Sequence, residues 1–215
     1  MDVIEDDNEA MEFNDNKYLY SWGFGKYGQI GLKFANYSLS AIKQPIEEKE
    51  EVFLISGGES HSAILTLTSK VYVYGKNYFG QLGLGHNNYV YHPTKIDYLD
   101  KIKISKLVCG GDHTLALSED NNIYSWGLNM FGQLGVGDYI VRKQPVKLDL
   151  VSKKSDNVSI LSKNEDLIDI AAGAQHSILL TSKNRILTCG FSKYYSLGDR
   201  KSTRLNSSHL VISYA

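Results

Sequence analysis

The chain has 215 residues, 42% hydrophobic and 22% charged, with a net charge of −1. That balance suits a folded globular protein and excludes a highly charged disordered chain. No apolar run is long enough to cross a bilayer as a helix, so no membrane insertion is expected. Two cysteines, Cys109 and Cys189, are too few for a disulfide framework and suit a reducing compartment.

The first sixteen residues carry seven acids (Asp2, Glu5, Asp6, Asp7, Glu9, Glu12, Asp15) and no base. Residues 1–16 therefore read as an acidic, disordered tail that would repel nucleic acid, not as a basic-then-apolar secretory leader. After it, nineteen glycines and fifteen tyrosines against three prolines favour strands joined by glycine turns.

From residue 17 onward a set of landmarks recurs in fixed order. The first copy has Trp22-Gly23 and then Gly31, eight residues on. The second has a glycine turn at Gly57-Gly58-Glu59-Ser60-His61, then Gly75 fourteen residues after His61, then Gly83 eight further. The third has Gly110-Gly111-Asp112-His113, Trp126-Gly127 and Gly135 at the same two intervals. The fourth has Gly173, His176, Gly190 and Gly198, again fourteen and eight apart. The strand-end glycines step by 52, 52 and 63 residues, so one segment, between Leu150 and Leu167, takes an insertion of eleven. Constant spacing with one variable loop marks a stacked structural repeat. The repeats fall near 17–50, 51–103, 104–166 and 167–198.

Each copy has the same local grammar. In the third, Lys106–Cys109 and Thr114–Leu117 read as strands flanking the His turn. Glu119–Asn122 reads as a hairpin turn and Ile123–Trp126 as a third strand. Met130–Gly137 is a glycine-rich loop, and Pro145–Leu148 a short outer strand with Pro at its start, where no ladder donor is needed. Four short strands per repeat of this length predict an all-β fold: a β-propeller of four-stranded antiparallel blades. Trp22 and Trp126 then read as packing between blades, with Tyr74 and Cys189 at the same position.

The turns GGESHS and CGGDHT, the strands YSWG and YVYG, and the loops YGQIG, FGQLGLG and FGQLGVG resemble the repeat of the regulator-of-chromosome-condensation family. The resemblance runs from about Tyr18 to Gly198. It departs in the fourth loop, where Tyr195 and Ser196 stand in place of a Gly-Gln pair. It implies a seven-bladed ring, of which this chain holds three to four blades, so an incomplete propeller is expected. Residues 199–215 (DRKSTRLNSSHLVISYA) resemble a translated sequencing adapter and are expected to be an artefact. The alternative is a genuine final strand at LVISY.

Three motifs invite catalytic or ligand readings. Gly23-Phe24-Gly25-Lys26-Tyr27-Gly28 fits the dinucleotide pattern G-x-G-x-x-G, but no helical run follows to meet a phosphate, so it reads as a repeat loop. His61, His113 and His176 recur once per blade. They read as histidines bonded to backbone at a glycine turn, not as one metal site. The insertion Val151–Asp166 is polar and reads as a solvated, mobile loop, with a protruding partner contact as the alternative. No catalytic, cofactor-binding or metal-binding residue is assigned. The structural landmarks are Gly58, His61, Gly75, Gly83, Gly111, His113, Trp126, Gly127, Gly135, Gly173, His176, Gly190 and Gly198.

The expected function is a protein-interaction or regulatory module, part of a larger protein and not an enzyme in itself. One alternative implied by the resemblance is a guanine-nucleotide exchange factor for a Ran-like small GTPase. Another is the regulatory or substrate-binding part of a ubiquitin ligase. Proteins are the expected partners, a small GTPase among them, with no cofactor and no direct nucleic-acid contact. The expected location is inside the cell, in cytoplasm or nucleus.

Overall fold

The fold was established from a computed structural model, which describes residues 19–32, 37–43, 50–150, 160–191 and 211–213. The regular structure among them is strand, apart from one 3-10 turn at Asp97–Leu99. Blade 1 pairs β1 (Tyr20–Phe24) with β2 (Tyr37–Lys43). Blade 2 orders β3 (Val52–Gly57), β4 (His61–Thr66), β5 (Val71–Gly75) and β6 (Val90–Lys95) side by side. Blade 3 repeats this with β7 (Ile104–Cys109), β8 (His113–Ser118), β9 (Ile123–Gly127) and β10 (Arg142–Lys147). Blade 4 has β11 (Leu167–Ala172), β12 (His176–Thr181), β13 (Ile186–Gly190) and β14 (Val211–Ser213). All pairs are antiparallel. The tail 1–16, Gly198 and most of 199–215 lie outside the described residues, whereas Val211–Ser213 takes the fourth-strand place beside β13.

The fourteen-residue interval is a hairpin register. His61 faces Gly75, His113 faces Gly127 and His176 faces Gly190 across their ladders. Glycine is required there twice over. At Gly75 the backbone has φ +115, and a Cβ would lie 2.6 Å from the Ser60 carbonyl oxygen.

The core lies between blades, which is why the second and third strands of blades 2 and 3 are buried on both faces instead of alternating. Along β4, Ala63 and Leu65 face blade 3, where they join Leu107, Cys109 and Trp126. Ile64 points the other way, with Tyr72 and Tyr74, toward blade 1. In the same manner Leu115 and Leu117 pack on Leu167, Ile170 and Leu179 of blade 4. Each strand thus feeds two interfaces, and a blade removed from its neighbours would expose both.

Two sequence expectations are corrected. Pro145 lies inside β10, not at its start. The register of β10 against β9 shifts between Arg142 and Val146, and β10 is the outermost strand, so the missing N–H leaves no ladder bond unmade. The second correction concerns the insertion. Its part 151–159 lies outside the described residues, but 160–166 is fastened to blade 4. Arg185 binds Glu165 at 2.7 Å and the Ile160 carbonyl at 2.9 Å, while Ser162 N–H donates to Glu165 at 2.9 Å. Burial alone would raise the Glu165 carboxyl. Hydrogen bonds from Thr181 and Ser162, with the Arg185 charge, hold it down at about 2 instead.

Candidate functional site

A buried polar seam runs between blades, built from the His turns. His61 Nε2 lies 3.0 Å from Thr114 Oγ1 of the next blade, and His113 Nε2 lies 2.9 Å from Ser177 Oγ. Thr114 spends its single proton on the Gln81 carbonyl at 2.8 Å, and Ser177 spends its own on the Gln133 carbonyl at 2.7 Å. Each imidazole must therefore donate through Nε2, which leaves Nδ1 as an acceptor without a partner. Burial, reinforced by the neighbouring His113 and Lys76 charges, pushes His61 down to about 3. Burial, with His176 nearby, pushes His113 down to about 4. Both are neutral at physiological pH.

For His61 and His113 this corrects the expectation of a bond to backbone at their own turns. They reach a hydroxyl one blade further on. The signal was present in the sequence, since Ser62, Thr114 and Ser177 each follow a landmark His directly. The three rings are spread over successive blades, and among the described residues no group of three His, Cys, Asp or Glu is placed to hold a metal. The ring also dictates the glycine three residues earlier. A Cβ at Gly58, Gly110 or Gly173 would lie 2.2–2.3 Å from the ring carbon of its own His. Gly110, not Gly111, is therefore the counterpart of Gly58 and Gly173. Gly111 meets blade 4 instead, with its N–H 3.2 Å from the Ala174 carbonyl oxygen, while Glu59 N–H donates to Gly111 at 3.2 Å.

Trp126 completes the seam. It is 0% exposed, and its indole N–H donates to the Gln81 carbonyl at 2.9 Å. Gly83, at φ +71, lets the chain pass so close that a Cβ would sit 2.8 Å from the indole nitrogen. Cys189 holds the same place one blade on, with its thiol 3.5 Å from the Gln133 carbonyl. Burial pushes both cysteine thiols up to about 12, so they serve as packing groups and not as nucleophiles. Gly135 has φ +68, as Gly83 requires at the equivalent position.

The glycine-rich loops lie at the same end of the blades as the His turns, because successive strands alternate direction. Side-chain amides set their shape. Asn77 accepts from Leu82 N–H at 3.0 Å and Gln81 from Phe79 N–H at 2.9 Å. Asn129 and Gln133 repeat both bonds at 3.0 Å. The loop after β5 leans on the next blade, with Gly85 N–H donating to the Lys143 carbonyl at 2.8 Å. Lys76 and Gln81 meet Asp112 across that boundary at 3.2 and 2.6 Å. From these braced loops Tyr78 and Met130, at equivalent positions, each stand 62% exposed, with Tyr139 and Ile140 beside the latter. In the loop that fits the dinucleotide pattern, no helix follows Gly28. Tight turns at Gly28 and Gly31 close it instead.

Stacked four-stranded blades, linked through recurring His turns, define the chain as a β-propeller repeat protein. The regulator of chromosome condensation (RCC1) repeat profile matches residues 69–117 and 120–180, and a second profile of that name matches 54–81, 104–133 and 167–195. The chain belongs to the RCC1-repeat family. It is 32% identical to the ultraviolet-B receptor UVR8 of Arabidopsis thaliana over 182 residues, which is 84% of this chain and 38% of the receptor. It is 34% identical to the secretion-regulating guanine nucleotide exchange factor of Bos taurus, covering 80% of this chain and 35% of the relative. The human probable E3 ubiquitin-protein ligase HERC6 shares 32% identity over 84% of this chain and 17% of its own length. Among solved structures, human WBSCR16 superposes with a TM-score of 0.73 at 25% identity, over 90% of this chain and 46% of that one. Yeast RCC1 (Prp20) bound to Kap60 gives 0.71 at 22% identity, over 90% and 44%, a likeness of fold. The chain thus spans well under half the length of these curated relatives.

Proposed function

We propose that the chain is a protein-interaction and regulatory module whose partner contacts lie on the loop face. One observation carries this reading: Tyr78 and Met130 stand exposed at equivalent positions of two loops whose backbones are held by Asn and Gln amides. Rigidly presented aromatic and Met side chains lose little freedom on binding and are enriched in protein interfaces. The partner is a protein, and the setting is the cell interior, which agrees with two unbridged cysteines.

Similarity to the secretion-regulating exchange factor supports a second reading, exchange on a small GTPase of the Ran type. Such a factor needs no catalytic side chain, since binding the nucleotide-free state more tightly is sufficient. Similarity to the HERC6 ligase supports a third, the regulatory or substrate-binding part of a ubiquitin ligase. A photo-crosslinker at position 78 or 130 is expected to capture a protein partner, and one at position 120, on the opposite hairpin turn, is not. Equal capture from both faces would refute the loop-face assignment. Nucleotide release from a panel of small GTPases then separates exchange from binding alone.

A further inference from the structure

The segment that leads into blade 4 carries an acid–base clamp that blade 2 also has. By the 52- and 63-residue steps, Glu165 and Arg185 stand where Glu50 and Lys70 stand in blade 2. Lys70 pairs with Glu50 at 2.5 Å, and Arg185 pairs with Glu165 at 2.7 Å. Blade 3 has Ile102 and Asn122 at these places, which cannot form an ion pair. A lysine therefore suffices to hold the acid, yet blade 4 has an arginine.

The additional N–H groups of that arginine go elsewhere. Arg185 Nη2 donates to the Ile160 carbonyl at 2.9 Å, and Nη1, already on Glu165, also reaches the Ser162 hydroxyl at 3.2 Å. The last is a long bond from a charged donor to a neutral oxygen, and it uses little of what a guanidinium can give. Ser162 is exposed, and its own N–H donates to Glu165 at 2.9 Å. The backbone is thus fixed while the hydroxyl stays at the surface. Over residues 160–166 and the turn 182–185, the cations Lys163, Lys183 and Arg185 outnumber the acids Glu165 and Asp166. Lys183 is drawn to the same segment, with its Nζ donating to the Lys163 carbonyl at 3.1 Å.

We propose that Ser162 is a phosphorylation site whose phosphate is received by Arg185, fastening the connection to blade 4. In the transfer, Ser162 Oγ attacks the γ-phosphorus of ATP held by a protein kinase. The Oγ–P bond forms, the bond from that phosphorus to the bridging oxygen breaks, ADP leaves, and the hydroxyl proton passes to the kinase's base. The product brings a charge of about −1.5 to −2 and three strong acceptor oxygens to a place where the hydroxyl offered one. A planar guanidinium can bind such a group and keep Glu165 at the same time, whereas a lysine ammonium is a single point of charge. The kinase is of the acid-directed class, because Glu165 and Asp166 follow Ser162 by three and four residues. The site lies at the end of the blades opposite the His turns and does not depend on the loop-face reading.

The test uses the 215-residue chain, ATP and a purified acid-directed serine kinase, with the modified residue mapped by mass spectrometry. Phosphate is expected at Ser162, and Ser162→Ala is expected to lose that label alone. Phosphorylation is expected to slow hydrogen exchange of the amides in 160–166 roughly tenfold. Arg185→Lys restores the pairing that Lys70 makes in blade 2, so this chain is expected to fold and to take the label, but to lose most of the slowing. A chain left unlabelled at Ser162 overturns the proposal. Faster exchange in the phosphorylated segment also overturns it, since the phosphate would then be repelled by Glu165 and the clamp opened. Equal slowing in Arg185→Lys overturns the assignment of Arg185 as the receiver.

Discussion

Lowering the pH from 7 to 5.5 should weaken the fold through His61 and His113. Both are neutral when folded, pushed down to about 3 and about 4 by burial, against 6.5 for a free imidazole. Groups depressed in this way bind more protons when unfolded. Their contribution is complete above pH 6.5 and is lost as pH falls toward the folded values. Each site costs up to about 1.4 kcal/mol per pH unit in that interval, so the two together should remove about 2–3 kcal/mol between pH 7 and 5.5. Glu165 does not interfere, because its contribution falls away only below its unfolded value of 4.5. Urea unfolding across this range gives the slope directly. Substituting either histidine with Gln should roughly halve it. A stability independent of pH from 7 to 5.5 would refute the assignment of both rings as buried and neutral.

Other consequences of the seam can be measured by thermal or urea unfolding. Thr114→Val keeps the shape of the side chain but strands the His61 N–H, and should cost about 2 kcal/mol, a Tm fall of roughly 4–8 °C. Gly75→Ala should cost about 2 kcal/mol or more through its positive φ and the Ser60 carbonyl contact, whereas Gly57→Ala, with open space around it, should be close to neutral. Trp126→Ala should cost about 3–5 kcal/mol as a large buried-to-small change. Trp22→Ala should cost under about 1 kcal/mol, because that side chain is largely exposed.

Much of this was legible because it is local. The intervals of fourteen and eight residues are hairpin register and loop length, and both can be counted along the chain. What escaped is what crosses between blades. The partner of His61 is fifty-three residues away, and its only trace along the chain is the hydroxyl that follows each landmark His. Trp22 and Trp126 occupy one position in the repeat, yet Trp22 is exposed and Trp126 is sealed, because burial depends on a distant loop, here Gln81 and Gly83, and not on the residue itself. Arg185 and Glu165 belong to different segments, and neither stands out in a polar run until the hairpin folds back on the insertion. Gly110 and Gly111 stand side by side in the sequence, and only the position of the imidazole ring shows that Gly110 is the counterpart of Gly58.

The imidazole and turn N–H links run forward from blade to blade, while Thr114, Trp126 and Ser177 donate back to the blade before. His61 gives to Thr114 and His113 to Ser177, while Glu59 N–H gives to Gly111 and Gly111 N–H to Ala174. Such an array has a head and a tail, as any heterologous contact does. Gene duplication could lengthen it by copying whole units, because every new unit would arrive with a donor for the next and an acceptor for the last. An insertion that splits a unit between its His and the following hydroxyl would break both. The long connection before β11 lies outside these links, between one unit and the next.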